Sequence, residues 1–358
     1  MLAGGIVADR ATAWPHTSNP YILASNKMNE PQQMPLSAAV LDEYQTLSAD
    51  AGYIDFSDRS RIEISGSDRS NFLHSFCTND INVLTPGTGC EAFLCNPKGK
   101  TVGHVTVFCH SDRLVVDTAA NQATSLIEHL SRYVIMEDVQ LEDCSAMQPR
   151  VFICGAQSHE ILQRIVGRDL PQDAWSHYES QISEIPAVCH NVPFLRHPGF
   201  LLTTSTDHFE SLLNCLQENG LTKGKQTTWE ILRIESAWPE YGIDISEDNL
   251  PQEVGRDTTA INFNKGCYLG QETVARVDAV GHVNRRLVQI DCNGPSPLSA
   301  QATLTHDGRA VGAVTSSGYS PKHKGAIALG YVQQTLAKPG QALTVESRTA
   351  VIIEAANS

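Results

Sequence analysis

After Arg285 the chain carries no further helical pattern. Residues 287–291, 302–306, 310–314, 326–331, 343–346 and 351–354 are short β-type runs, separated by Gly, Pro and an Asp307-Gly308 hairpin signal. Short strands of this kind cannot bury their apolar faces singly. Six in a row with no intervening helix predict a small barrel or sandwich over residues 286–358.

The preceding chain mixes the two periodicities. A helix is expected over 36–47, strands over 53–56 and 61–65, and a helix capped by Ser67 or Asp68 reaching about Cys77. A hairpin follows, 92–95 and 102–109, around the turn Asn96-Pro97-Lys98-Gly99-Lys100. Strands over 114–117, 139–142, 151–154 and 200–204 and helices over 121–133, 157–166, 209–218 and 229–237 continue the mixture. Because many strands are joined by hairpins, α+β fits better than a doubly wound parallel sheet. Residues 36–285 read as this core. Residues 1–35, with Pro15, Pro20, Pro31 and Pro35 among Ser, Asn and Gln, read as a loosely ordered extension.

A net charge of -14 makes nucleic-acid phosphates and anionic membranes poor main partners. No run approaches the roughly 20 apolar residues of a membrane span. The apolar start Met1–Val7 runs into Asp9 and Arg10 without a basic region before it, so no secretory signal is expected. Ten cysteines without one Cys-x-x-Cys pair favour a reducing cytosol, and argue against a resident zinc site or iron-sulfur cluster. Gly99-Lys100-Thr101 has the end of a phosphate-binding loop, but position 94 is leucine where the motif needs glycine.

The densest chemistry lies in Lys265-Gly266-Cys267-Tyr268-Leu269-Gly270-Gln271-Glu272. A cation beside a thiol favours the thiolate, the form that ligates metals and attacks electrophiles. The plainer alternative is a small buried Cys267 at a glycine-punctuated corner.

This octapeptide resembles the signature of the YgfZ-type folate-binding proteins, relatives of the glycine cleavage T-protein (aminomethyltransferase). Leu232-Arg233-Ile234-Glu235 with Tyr241-Gly242-Ile243-Asp244-Ile245, and the run from Asp307-Gly308 through Ile327-Ala328-Leu329-Gly330-Tyr331, extend the resemblance over residues 36–358. It implies three lobes in a ring around a central folate channel, two intertwined within 36–285 and the third the C-terminal β-barrel. It also implies tetrahydrofolate as cofactor. Arg233, Glu235, Tyr241, Tyr268, Gln271 and Glu272 are then the candidate folate contacts, and Cys267 with Lys265 the reactive pair. The implied role is accessory: assembly or repair of iron-sulfur clusters in client enzymes, tRNA-modifying radical enzymes among them. No resident metal, direct nucleic-acid contact or membrane is expected, and the compartment is the cytoplasm.

Two departures bear on the alternative, a folate-dependent aminomethyl or methyl transferase. Where aminomethyltransferases carry an Asp-Asp pair after a glycine turn, this chain has Gly103 and His104. Where they carry Gly-Tyr-Thr-Gly-Glu, it has Gly199-Phe200-Leu201-Leu202-Thr203. A transferase would need a relocated carboxylate such as Glu235 or Asp244. A third possibility is a non-catalytic scaffold with a structural Cys267.

Overall fold

The computed structural model describes residues 36–355. The expected extension over 1–35 lies outside them. The described chain builds two open sheets and a closed barrel.

The first sheet runs Thr222–Gly224, Gly52–Asp55, Arg150–Cys154, Phe200–Thr203, Ile185–Asn191, His177–Ile182. The second runs Gly89–Cys95, Thr101–Cys109, Arg113–Ala120, Arg59–Ser65, Gln140–Asp143. They interleave along the chain: Gly52–Asp55 belongs to the first, the next five strands to the second, and the chain returns at Arg150. Strands Arg285–Cys292, Gly325–Gln333, Arg309–Ser320, Thr303–His306, Ala342–Val345 and Arg348–Ala355 close the barrel, as the alternating C-terminal runs predict.

Helices Ser158–Val166 and Thr206–Glu218 cover the first sheet through Leu162, Leu212 and Leu216. Helices Arg69–His74 and Ala123–Ser131 cover the second through Phe72, Leu73, Leu126 and Leu130. The other faces meet in an aromatic cluster of Phe56, Phe108, Phe152, Trp175, Phe194, Trp229 and Trp238. Its rings stack or meet edge to face, Phe56 lying 5.2 Å from Phe152 and 4.9 Å from Trp229. Each such buried ring contributes about 1.5–3 kcal/mol of transfer free energy, so the two sheets are held firmly face to face.

Among the elements that escape the sequence reading are a hairpin and a helix. The hairpin His177–Ile182/Ile185–Asn191 turns on Ser183 and Glu184, both at positive φ (48° and 72°), without the glycine or asparagine that advertises such a turn. Helix Gln271–Val280 buries only Val274 and so writes no apolar stripe.

Candidate functional site

A small cavity opens between the two sheets. The neighbouring strands Thr101–Cys109 and Arg113–Ala120 supply His104, Thr106, Asp117 and Thr118, and the segment after helix Gln226–Glu235 supplies Trp238, Glu240 and Tyr241. Its charged groups are paired. Arg59 donates to Glu240 at 2.8 Å, and Arg61 grips Asp117 at 2.7 and 2.6 Å. Burial alone would raise the Asp117 carboxyl, but Arg61 and Arg150 outweigh it and hold the group well below the usual range. Free space is about 20 Å³, enough for a water molecule.

His104 sits on the wall between the rings of Phe93 (5.0 Å) and Trp238 (5.3 Å). Its Nε2 lies 2.7 Å from Oε1 of Glu91, on the adjacent strand Gly89–Cys95. Glu91 is fully buried and also accepts from Arg256 at 2.8 and 2.6 Å and from Thr259 at 2.8 Å. Burial by itself would raise this carboxyl; Arg256 and His104 hold it at about 2. Positions 103 and 104 themselves carry no carboxylate, but a paired one lies beside them. The acid stands one strand away, where pairing register rather than sequence proximity delivers it.

The proposed folate contacts are only partly brought together. Tyr241 lines the cavity. Arg233 does not present a free cation, because it is buried, donating to Asp244 at 2.7 Å and Glu230 at 2.8 Å. Glu235 accepts from Tyr44 at 3.0 and 2.8 Å and from Ser320. Asp244 also accepts from Ser316 at 2.7 Å and from the Glu240 amide at 3.0 Å. Neither Glu235 nor Asp244 is the idle acid a relocated catalytic carboxylate requires. Both join barrel to core instead. Sequence reasoning missed Glu91, Arg256, Trp238 and Glu240; Trp238 and Glu240 lie between the segments 232–235 and 241–245 that it singled out, whereas Glu91 and Arg256 carry no local signal.

The octapeptide is held from within. Lys265 turns its ammonium onto the carbonyls of His74, Cys77 and Asn79 at 2.5, 2.7 and 2.9 Å, and lies 4.9 Å from the Tyr268 ring centre. Burial lowers its pKa. Tyr268 is packed in the core with Phe93, Ile234 and Tyr331, Leu269 donates its amide to Ser75 at 2.9 Å, and Gln271 accepts from the Tyr268 amide at 3.3 Å. Tyr268 and Gln271 are thus engaged within the loop and core, and neither lines the cavity. Gly270, at φ 82°, meets the Asn96–Lys100 turn so closely that an added Cβ would stand 2.5 Å from the Asn96 carbonyl oxygen. Cys267 and Glu272 are left facing out. The other nine cysteines are all buried. One expectation needs correcting: Lys265 is anchored to carbonyls rather than directed at the Cys267 thiol. Cys267 is not among the residues lining the cavity.

Residues 12–265 match the family described as the GCVT N-terminal domain, and residues 285–356 match the glycine cleavage T-protein C-terminal barrel domain. The chain is 27% identical over 294 residues to a putative chloroplastic transferase of Arabidopsis thaliana, covering 82% of this chain and 67% of that protein. It is 27% identical over 328 residues to an aminomethyltransferase of Rippkaea orientalis, covering 88% of each. The crystal structure of the glycine cleavage system aminomethyltransferase T from Bartonella henselae superposes with a TM-score of 0.80 at 20% identity, over 88% of each chain, and shares the fold. Among the described residues no helix is long and apolar enough to cross a membrane, and no group of three or more His, Cys, Asp or Glu side chains is arranged to hold a metal ion.

Proposed function

The chain belongs to the glycine cleavage T-protein family, and from that premise we propose that it is a folate-binding accessory protein for assembly or repair of iron-sulfur clusters, working through Cys267. The observation that carries this reading is the exposure of Cys267 on a loop anchored on either side by Lys265 and Gly270. An exposed thiol of this kind can ligate a cluster in transit or exchange electrons with a client, the cluster being cargo rather than a resident group. Iron-sulfur enzymes that modify tRNA are the proposed clients, and a reducing compartment such as the cytosol is where such a thiol persists.

The cavity residues suit a pterin in chemistry. Glu240 and Arg59, paired with each other, offer a carboxylate and a guanidinium, Trp238 and Tyr241 an aromatic slot, and His104 a polar ring. They do not suit it in volume, since about 20 Å³ admits no ring system. Folate binding under this reading therefore entails separation of the walls, with Trp238 displaced. Titrating tetrahydrofolate into the full chain is expected to give saturable heat and a fluorescence change that is lost in Trp238→Phe. Absence of heat would remove folate and leave a thiol-bearing scaffold.

A second reading, a folate-dependent aminomethyl transferase, is favoured by the aminomethyltransferase relatives matched over nearly their whole length. Turnover of an aminomethyl donor in the presence of tetrahydrofolate distinguishes it from the first.

A further inference from the structure

We propose that a second, larger cleft between the two open sheets binds a linear di- or triamine, its ammonium groups meeting Glu63, Glu142 and Glu179 and one N–H reaching the Thr203 hydroxyl. The assignment is independent of the central cavity and of Cys267.

Strand pairing builds the cleft from both sides. On one wall Glu63 of strand Arg59–Ser65 stands directly opposite Glu142 of strand Gln140–Asp143, and like-charged cross-strand neighbours repel. On the other, Glu179 pairs with Val188 and Val188 with Thr203, so the three side chains lie in a row across one face of the first sheet. Arg113 is the one cation in the lining, and it already serves Glu63 at 3.3 Å and Asp112 at 2.9 Å. Among the described residues neither Glu142 nor Glu179 forms an ion pair. Burial, and after it the charges of Glu63 and Glu142, push the Cys144 thiol in the lining up to about 11, so the repelling pair is felt inside the cleft.

The lining also carries a polar atom that lacks a partner. Thr203 is only 4% exposed and its hydroxyl makes no hydrogen bond among the described residues, whereas that of the adjacent Thr204 donates to the Pro186 carbonyl at 2.6 Å. A buried hydroxyl left unpaired is costly, and a donor brought by a ligand removes that cost.

Size and charge narrow the ligand. The free space is about 790 Å³, within the roughly 300–1,000 Å³ of small-molecule sites. Three carboxylates against one guanidinium leave the lining with an excess of negative charge and of acceptors. An ammonium supplies donors only, and the methylenes joining two or three of them can lie against Val188 and Met147. A peptide suits the cleft less well, because its carbonyls need donors in return.

Calorimetric titration of spermidine into the full-length protein should reveal one saturable site that weakens as salt rises from about 20 to about 200 mM. Glu142→Gln and Glu179→Gln should each weaken it at least about fivefold and Thr203→Val at least about threefold. Asp307→Asn, on an exposed barrel turn, should change it less than about 1.5-fold. Thr203→Val should melt no lower than wild type, because the hydroxyl it deletes has no partner in the fold, and its loss of binding is then not a loss of structure. Absence of a saturable site, or an Asp307→Asn loss as large as those of the cleft variants, would overturn the assignment and reduce spermidine to a counterion of an acidic surface. Binding confined to a lysine-rich peptide would overturn it as well, making the cleft a docking surface for a basic chain.

Discussion

Cys267 points outward because the residues beside it point inward. Lys265 donates to three carbonyls of the 74–79 segment, and its ammonium lies 4.9 Å from the centre of the Tyr268 ring. Replacing Lys265 by methionine strips those carbonyls of charge-assisted bonds in a buried setting, and urea unfolding should show a loss of about 2–4 kcal/mol. Cys267→Ser, at an exposed position, should change stability by less than about 0.5 kcal/mol. Alkylation of the native protein near neutral pH, followed by peptide mass analysis, should label Cys267 well before any other cysteine. The buried thiols resist by desolvation, which pushes Cys77 up to about 11 and Cys154 up to about 12. Comparable labelling of a buried thiol would contradict this view of the loop. The octapeptide stands out in the sequence by its composition, but the division of labour within it does not. Whether a lysine faces its neighbour in sequence or a carbonyl nearly two hundred positions away depends on packing.

Elements meet through their turns. The Asn96–Lys100 turn and the start of helix Gln271–Val280 touch backbone to backbone at Gly99 and Gly270, both at positive φ. Gly281, at the other end of that helix, has a similar φ of 78°, but an added Cβ would meet nothing within 4 Å. Gly281→Ala should therefore cost only about 1 kcal/mol of backbone strain, whereas Gly270→Ala adds a steric clash and should cost several kcal/mol more, measurable as the difference between two thermal melts.

A second junction joins the sheets. The ring of His177, on the hairpin the sequence concealed, lies 4.5 Å from that of His110 and 5.3 Å from that of His190. Burial, then His110, pushes His177 down to about 4, and burial also lowers His110 and His190, with Arg61 close enough to add to the effect. A histidine with a depressed folded-state pKa takes up protons more readily when unfolded. Its contribution is complete above the unfolded value of about 6.5 and is lost as pH falls toward 4. For His177 the loss is about 2 kcal/mol after allowance for partial exposure, and a His177→Gln variant should show a flatter decline in urea stability between pH 7 and 5. Strands with alternating or continuous apolar runs were legible from sequence. The 177–191 hairpin was not, because its turn uses Ser183 and Glu184 in a conformation that usually announces itself with glycine.

At the scale of the molecule, the barrel is fastened to the core through Asp244. That carboxylate accepts from buried Arg233 on one side and from half-buried Thr315 and buried Ser316 of the barrel on the other. Asp244→Ala leaves a buried guanidinium short of its partner, and chemical denaturation should reveal a loss of about 3–5 kcal/mol. The α+β core and the C-terminal barrel could be anticipated because periodicity and turn signals are local. The pairing of His104 with Glu91 could not, since it depends on the register of two strands. The central claim is that this T-protein fold serves clients through the thiol at position 267. Its most direct test is the activity of an iron-sulfur tRNA-modifying enzyme in cells lacking their own relative of this protein, supplied with wild-type chain or with Cys267→Ser at equal abundance. The account predicts restored activity with wild type and activity at the level of the empty vector with Cys267→Ser; equal restoration by both would contradict it.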